Sequence, residues 1–187
     1  MLFEITASIC RFSFNVTPLN NLLSTRACFI QAFFISMKNE EFIQLRLLNE
    51  SKKLLEAGFI FPNFLLVSQG IETLGAFLDN KPIAVKAQSK KRFHLAIEEL
   101  FPVEYKELKA NDWLYKQLRC NLSHMCSTGA FIIFSSQKES THTHLELLNG
   151  KRVFLVENLV HDFHNACFRV IAHLEKGEIK QKAMALS

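Results

Sequence analysis

Glycine is scarce in this chain. Only six occur in 187 residues, each standing alone, so no glycine-rich loop is available to cradle the phosphates of a nucleoside triphosphate or dinucleotide. Cysteine usage excludes two further classes. The five residues Cys10, Cys28, Cys120, Cys126 and Cys167 are odd in number, irregularly spaced and without a Cys-x-x-Cys pair. A disulfide framework or zinc ribbon is therefore not expected, and a reducing cytoplasmic setting is. Long apolar runs are missing as well. The longest candidate, Ala27 to Ser36, is ten residues long and interrupted by Gln31, too short to span a membrane. Neither an early basic cluster nor a small-residue cleavage site marks a signal peptide.

Lysine is absent from residues 1–36, whereas all fifteen lysines follow Met37. The same segment holds six of the eighteen phenylalanines and shows neither sustained alternation nor a helical stripe. Met37 is followed by Lys-Asn-Glu-Glu, a polar opening suited to a first helix. Residues 1–36 are thus expected to be an N-terminal extension outside the core, with Met37 as the natural start; the alternative is a loosely packed arm. A single helical domain is expected over 37–177 and a loose tail over 178–187.

What is present is ordinary for a globular protein: 49% hydrophobic and 21% charged residues, enough for one buried core. The net charge of +4 is mildly basic and permits RNA or another polyanion as partner.

Residues 38–57 predict a helix with Phe42, Leu45, Leu48 and Leu55 on one side and Gly58 as its stop. Pro62 opens a second helix that runs to about Asp79. It is apolar nearly all round, through Phe64, Leu65, Val67, Ile71, Leu74, Phe77 and Leu78, and should be central. Asn80, Lys81 and Pro82 break it. A third helix starts with Ser89 as N-cap and ends by Pro102. A fourth starts near Asn111 or Asp112 and repeats Leu114, Leu118, Leu122 and Met125. The pattern then changes. Ala130 to Phe134 is a short apolar run, Thr143 to Leu147 alternates, and Asn149-Gly150 precedes Lys151 to Val156, a strong hairpin signal. These segments predict a small antiparallel sheet of two or three strands. A long last helix, Val156 to Lys176, carries Leu159, Val160, Phe163, Cys167, Val170, Ile171 and Leu174 on one stripe, with Gly177 as its stop. The fold class is mainly α (α+β): about five helices with a small antiparallel hairpin before the last.

The fourth helix carries the chemistry. Its segment Arg119-Cys-Asn121-Leu-Ser-His124 places an always-charged phosphate binder close to a group that titrates near neutrality. Turned by about 100° per residue from Leu118, Arg119 lies at about 100° and His124 at about 240°, flanking an outer strip of Lys116, Cys120 and Ser123. A single copy does not bring both onto one phosphate; two copies about a two-fold axis could. The alternative for Arg119 is an ion pair with Glu72, which otherwise sits awkwardly on the apolar second helix.

This arginine, four intervening residues and a histidine, with Trp113-Leu-Tyr115-Lys-Gln-Leu before them, resembles the HEPN superfamily of helical domains. The motif covers Arg119 to His124 and the architecture about 38–176. The resemblance implies a homodimer and a metal-independent endoribonuclease or RNA-binding protein, in a toxin or defence setting with a regulatory protein partner, and no cofactor. Arg119 would hold the scissile phosphate, His124 would move protons and Asn121 would orient the histidine or the phosphate; products would carry a 2′,3′-cyclic phosphate. The hairpin departs from the family's all-helical pattern. A non-catalytic dimeric interaction module, with Arg119 and His124 in packing or salt-bridge roles, is the competing reading.

Lys86, Lys90, Lys91 and Arg92, together with Lys116, are the candidate RNA contacts. Lys90, Lys91 and Arg92 crowd the first turn of a helix, where the macrodipole disfavours cations, and so hint at an anionic partner; the alternative is a solvated loop. Glu157, His161 and His164 on the last helix and His142 and His144 on a strand have no recognised metal spacing, and no metal is expected. Cys120 as a nucleophile activated by His124 lacks an identifiable third group.

Overall fold

The computed structural model describes residues 37–125 and 129–184. The proposed extension over residues 1–36, with Cys10 and Cys28, and Cys126 and residues 185–187 lie outside the described residues.

The first helix, α1, runs without a break through Asn39–Phe42, a π-helical stretch Ile43–Leu48, and Asn49–Glu56. The i→i+5 bonds of the π stretch rotate each residue less than an α turn does, and this resets the buried face. Ile43, Leu47, Leu48 and Ser51 are buried, whereas Leu45, expected on the core side, is 41% exposed. The helix stops as expected at Gly58 (φ +74°). The Gly58 N–H donates to Leu55 O and the Phe59 N–H to Leu54 O, pairing the last carbonyls.

Helix α2 (Ile60–Leu78) is the centre of the molecule, with Phe64, Val67, Ile71 and Leu74 fully enclosed. It packs along α3 (Ser89–Leu100) and crosses the last helix. The backbones come closest at Gly75, where a Cβ would stand 1.8 Å from Arg92 O. Gln88, not Ser89, is the N-cap of α3, and no side chain caps it. A short helix, α4 (Val103–Glu107), and a 3-10 turn, Ala110–Asp112, lead to the motif helix. That helix, α5, starts at Trp113, is π-helical over Tyr115–Cys120 and α-helical over Asn121–Met125. Leu114, Leu118 and Leu122 are buried in it as expected, but Met125 is 70% exposed. The stripe drawn at uniform α pitch overshoots once six residues adopt the wider turn.

The sheet is mixed rather than antiparallel. Its order is β1 (Ile132–Ser135), β3 (Lys151–Leu155), β2 (Leu147–Leu148). The Asn149-Gly150 turn, with φ of +48° and +76°, joins β2 and β3 as an antiparallel hairpin. β1 instead runs parallel to β3, pairing Ile132 with Arg152 and Ser135 with Leu155. Residues 136–150, with β2 among them, make the connection that a parallel pair requires. Phe134 of β1 stacks on Phe64 of α2 at 3.9 Å between ring centroids, fastening the sheet to the bundle.

Helix α6 (Val156–Glu175) buries Leu159, Val160, Phe163, Cys167, Val170 and Leu174, and ends at Gly177 (φ +71°). The segment after it is not loose through residue 184. Asn39 and Lys182 exchange hydrogen bonds, Lys182 N–H to Asn39 Oδ1 (2.6 Å) and Asn39 Nδ2 to Lys182 O (2.8 Å). The Lys182 ammonium is seated among Ala76 O, Asp79 O, Lys81 O and Asp79 Oδ1 at the C-terminal end of α2. No helix among the described residues is long and apolar enough to cross a membrane.

Candidate functional site on the motif helix

Of the polar residues on α2, Gln69 and Glu72 face α5. Glu72 Oε2 accepts the Nε–H of Arg119 at 2.7 Å. The two side chains are 20% and 14% exposed. Three residues earlier on α2, the Gln69 side-chain amide donates to Ser123 Oγ. Ser123 in turn donates to Arg119 O at 2.8 Å, one turn back on its own helix. The wider π turn draws Ser123 in from the outer strip towards the side on which Arg119 already lies, and both meet α2. The ion pair with Glu72, the alternative drawn from the sequence, is therefore formed.

Nε is one of five donors on the guanidinium. The Nη groups of Arg119 have no acceptor among the described residues. Next to them lie Tyr115 and Cys120. Burial first, and then the Cys120 thiol, hold the Tyr115 hydroxyl above its ordinary pKa, while Arg119 works against the rise. Tyr115 also lies edge-on to Phe93, 5.5 Å between ring centroids, so α3 backs this part of α5.

His124 is exposed, five residues further on. Asn121 is half-buried against Gly129, where a Cβ would stand 2.7 Å from its Nδ2 and 2.0 Å from Gln117 Oε1. Gln117 Oε1 also accepts the Phe131 N–H at 3.4 Å, so Gln117 and Asn121 brace the entry into β1. Lys116 is exposed and bonds the Asn111 carbonyl at 3.1 Å.

The remaining basic candidates separate. Lys86 and Lys91 are exposed. Lys90 pairs with Asp112 at 3.0 Å. Arg92 is not a surface contact at all. It is 5% exposed, and its guanidinium holds Asp79 Oδ2 (2.7 Å), Ile83 O (2.8 Å) and Pro82 O (2.8 Å). The four-cation run looked solvent-facing because three of its members are lysines; the fourth falls on the face of α3 that meets α2.

The histidines also part company. His164 Nε2 lies 2.8 Å from Ser51 Oγ, His161 bonds Asn165, and His142 pairs with Glu146. His144 belongs to a buried chain that sequence spacing did not reveal. Its Nδ1 accepts the Leu155 N–H (3.0 Å), which fixes the proton of the neutral ring on Nε2, 2.8 Å from the Tyr105 hydroxyl. Tyr105 then donates to Asp162 Oδ2 at 2.9 Å. No cluster of three or more His, Cys, Asp or Glu poised for a metal occurs among the described residues.

In comparisons with known proteins, no family model, curated protein or solved structure matches this chain at a significant level.

Proposed function

We propose that the chain is a HEPN-like RNA-binding protein that cleaves phosphodiesters without a metal, using Arg119 and His124. The observation that carries this reading is the state of the Arg119 guanidinium: Glu72 grips Nε and leaves the Nη edge without an acceptor among the described residues. An arginine steadied on one side offers its two-pronged edge to a phosphate at little entropic cost. His124, exposed on the same helix, supplies the proton transfer. A histidine base takes the ribose 2′-OH proton, the 2′-oxygen attacks phosphorus, and a second histidine protonates the departing 5′-oxygen. Arg119 offsets the growing phosphoryl charge. Arg119 is turned towards Glu72 on α2 while His124 is exposed further along the helix, so the reading takes a second copy to set both on one phosphate.

The test is RNA cleavage by the purified protein in EDTA. His124→Ala removes the proton shuttle, worth typically about 10²–10⁴-fold. Arg119→Lys keeps the charge and loses the fork, and should also fail. Intact RNA after incubation with the wild-type protein overturns the proposal.

The Arg119–Glu72 ion pair itself favours the second reading, a non-catalytic dimeric module in which Arg119 locks α5 to α2. That reading requires Arg119→Met to lower the melting temperature and Arg119→Met/Glu72→Met to recover it, because the single change strands a half-buried carboxylate.

A further inference from the structure

A cavity of about 510 Å³ opens between the break after α2 and the first half of α3. Gln88, Lys91 and Leu95, spaced three and four apart on α3 and its N-cap, line it together with Lys81, Lys109 and Glu98. The lining surface is mostly carbon, from Leu95 and the methylene stems of the lysines. The ionic ends are unequal. Lys109 is matched to Glu98, and Arg92 to Asp79. Lys91 has no acidic partner among the described residues, and Lys81 Nζ meets only the neutral amide oxygen of Gln88, at 2.7 Å. The cavity thus joins an aliphatic wall to two ammonium groups uncompensated by a described carboxylate.

Its walls are built firmly. Arg92 pins the carbonyls of Pro82 and Ile83 to α3, and Asp79 accepts from Arg92, from the Lys182 ammonium and from the Lys81 N–H (2.9 Å). The loop that carries Lys81 is therefore held before any ligand arrives. The volume lies in the range of small-molecule sites. His94, whose Nε2 lies 3.1 Å from Asp112 Oδ1, also lines the cavity, whereas Arg119 and His124 do not.

We propose that this cavity binds a small organic phosphate, with the phosphoryl group between Lys81 and Lys91 and the carbon body on Leu95. A charged, compact head suits the lysines, and an apolar body suits the wall. The site stands independently of the nuclease reading.

The experiment titrates the full chain with phenyl phosphate, inorganic phosphate and benzyl alcohol, followed by calorimetry. Phenyl phosphate binds in the millimolar range or tighter, inorganic phosphate several-fold more weakly, and benzyl alcohol without measurable heat. Lys91→Glu weakens phenyl phosphate by about tenfold or more. Lys91 is exposed in the first turn of α3, where a glutamate suits the helix dipole, so the variant folds. Lys81→Glu is the second variant and behaves alike; Lys86→Glu, outside the cavity, leaves binding unchanged. No binding of phenyl phosphate overturns the proposal. So does equal affinity for inorganic phosphate, or an equal loss in Lys86→Glu, since either outcome marks a diffuse anionic attraction rather than a site.

Discussion

At Gly75 one hydrogen in place of a side chain sets the distance between α2 and α3. Gly75→Ala would drive a methyl group into Arg92 O, 1.8 Å away, so the helices must part. We expect a loss of about 3 kcal/mol or more in denaturant unfolding. Arg92→Met should cost about 2–4 kcal/mol, below the full penalty of a broken buried pair because Lys182 still faces Asp79. Lys86→Ala, six residues earlier and exposed, should stay within about 0.5 kcal/mol. Equal losses for Arg92→Met and Lys86→Ala would show that the internal network adds nothing. Residue identity alone did not distinguish these two cations. Their difference lies in which side of α3 faces α2, and that depends on packing.

Helical elements were legible where apolar residues recur at a steady pitch. The stripe of α6 and the central position of α2 are as the sequence implied, and both glycine stops, Gly58 and Gly177, hold. Pitch failed at the two π stretches, Ile43–Leu48 and Tyr115–Cys120, which no residue type announces. Leu45 and Met125 were misplaced for that reason. The parallel β1–β3 pair was hidden for another: apolar alternation fixes a strand's faces and leaves its direction open. The junction of β3 and α6 makes a prediction of its own. Burial holds His144 at a pKa of about 4, against an ordinary 6.5. Its Nδ1 already accepts the Leu155 N–H, so a second ring proton must break that bond. The unfolded chain takes up this proton near 6.5 and the fold does not. Stability is therefore full above that value and falls as pH drops towards 4, by at most on the order of 3 kcal/mol from this residue. Burial shifts His164 and His94 in the same direction, whereas Asp162, raised by burial, titrates in the opposite sense and softens the acid end. Denaturant midpoints measured from about pH 7 down to about pH 4.5 should decline in the wild type and decline less in His144→Gln. Parallel curves would remove His144 from the account.

For the whole molecule, the decisive quantities are assembly and cleavage. If α5 carries the interface, sedimentation at tens of micromolar should give a dimer; monomer alone at that concentration counts against it. His124 is exposed, so His124→Ala should keep the wild-type melting temperature whatever it does to RNA. A large drop would assign His124 to the fold. The candidate site was partly legible: Arg119 and Glu72 could be paired because Glu72 is the one charged residue on the apolar α2 and calls for a cationic partner. The Tyr105–His144–Asp162 chain could not be, since three separate elements bring those residues together and no local pattern joins them.

The ammonium of Lys182 has a consequence for the order of folding. It closes the carbonyl end of α2 from 103 residues away along the chain, and Asn39 is tied to the same residue across 143. Contacts of that span form after the local helices, because loop-closure entropy must be met first. Until then the C-terminal carbonyls of α2 face water, and Asp79 has Arg92 as its side-chain counter-ion. Amide exchange at the end of α2 should therefore report the docking of residues 178–184 rather than the formation of α2 itself. Lys182→Met would speed exchange there while leaving the middle of α2 protected.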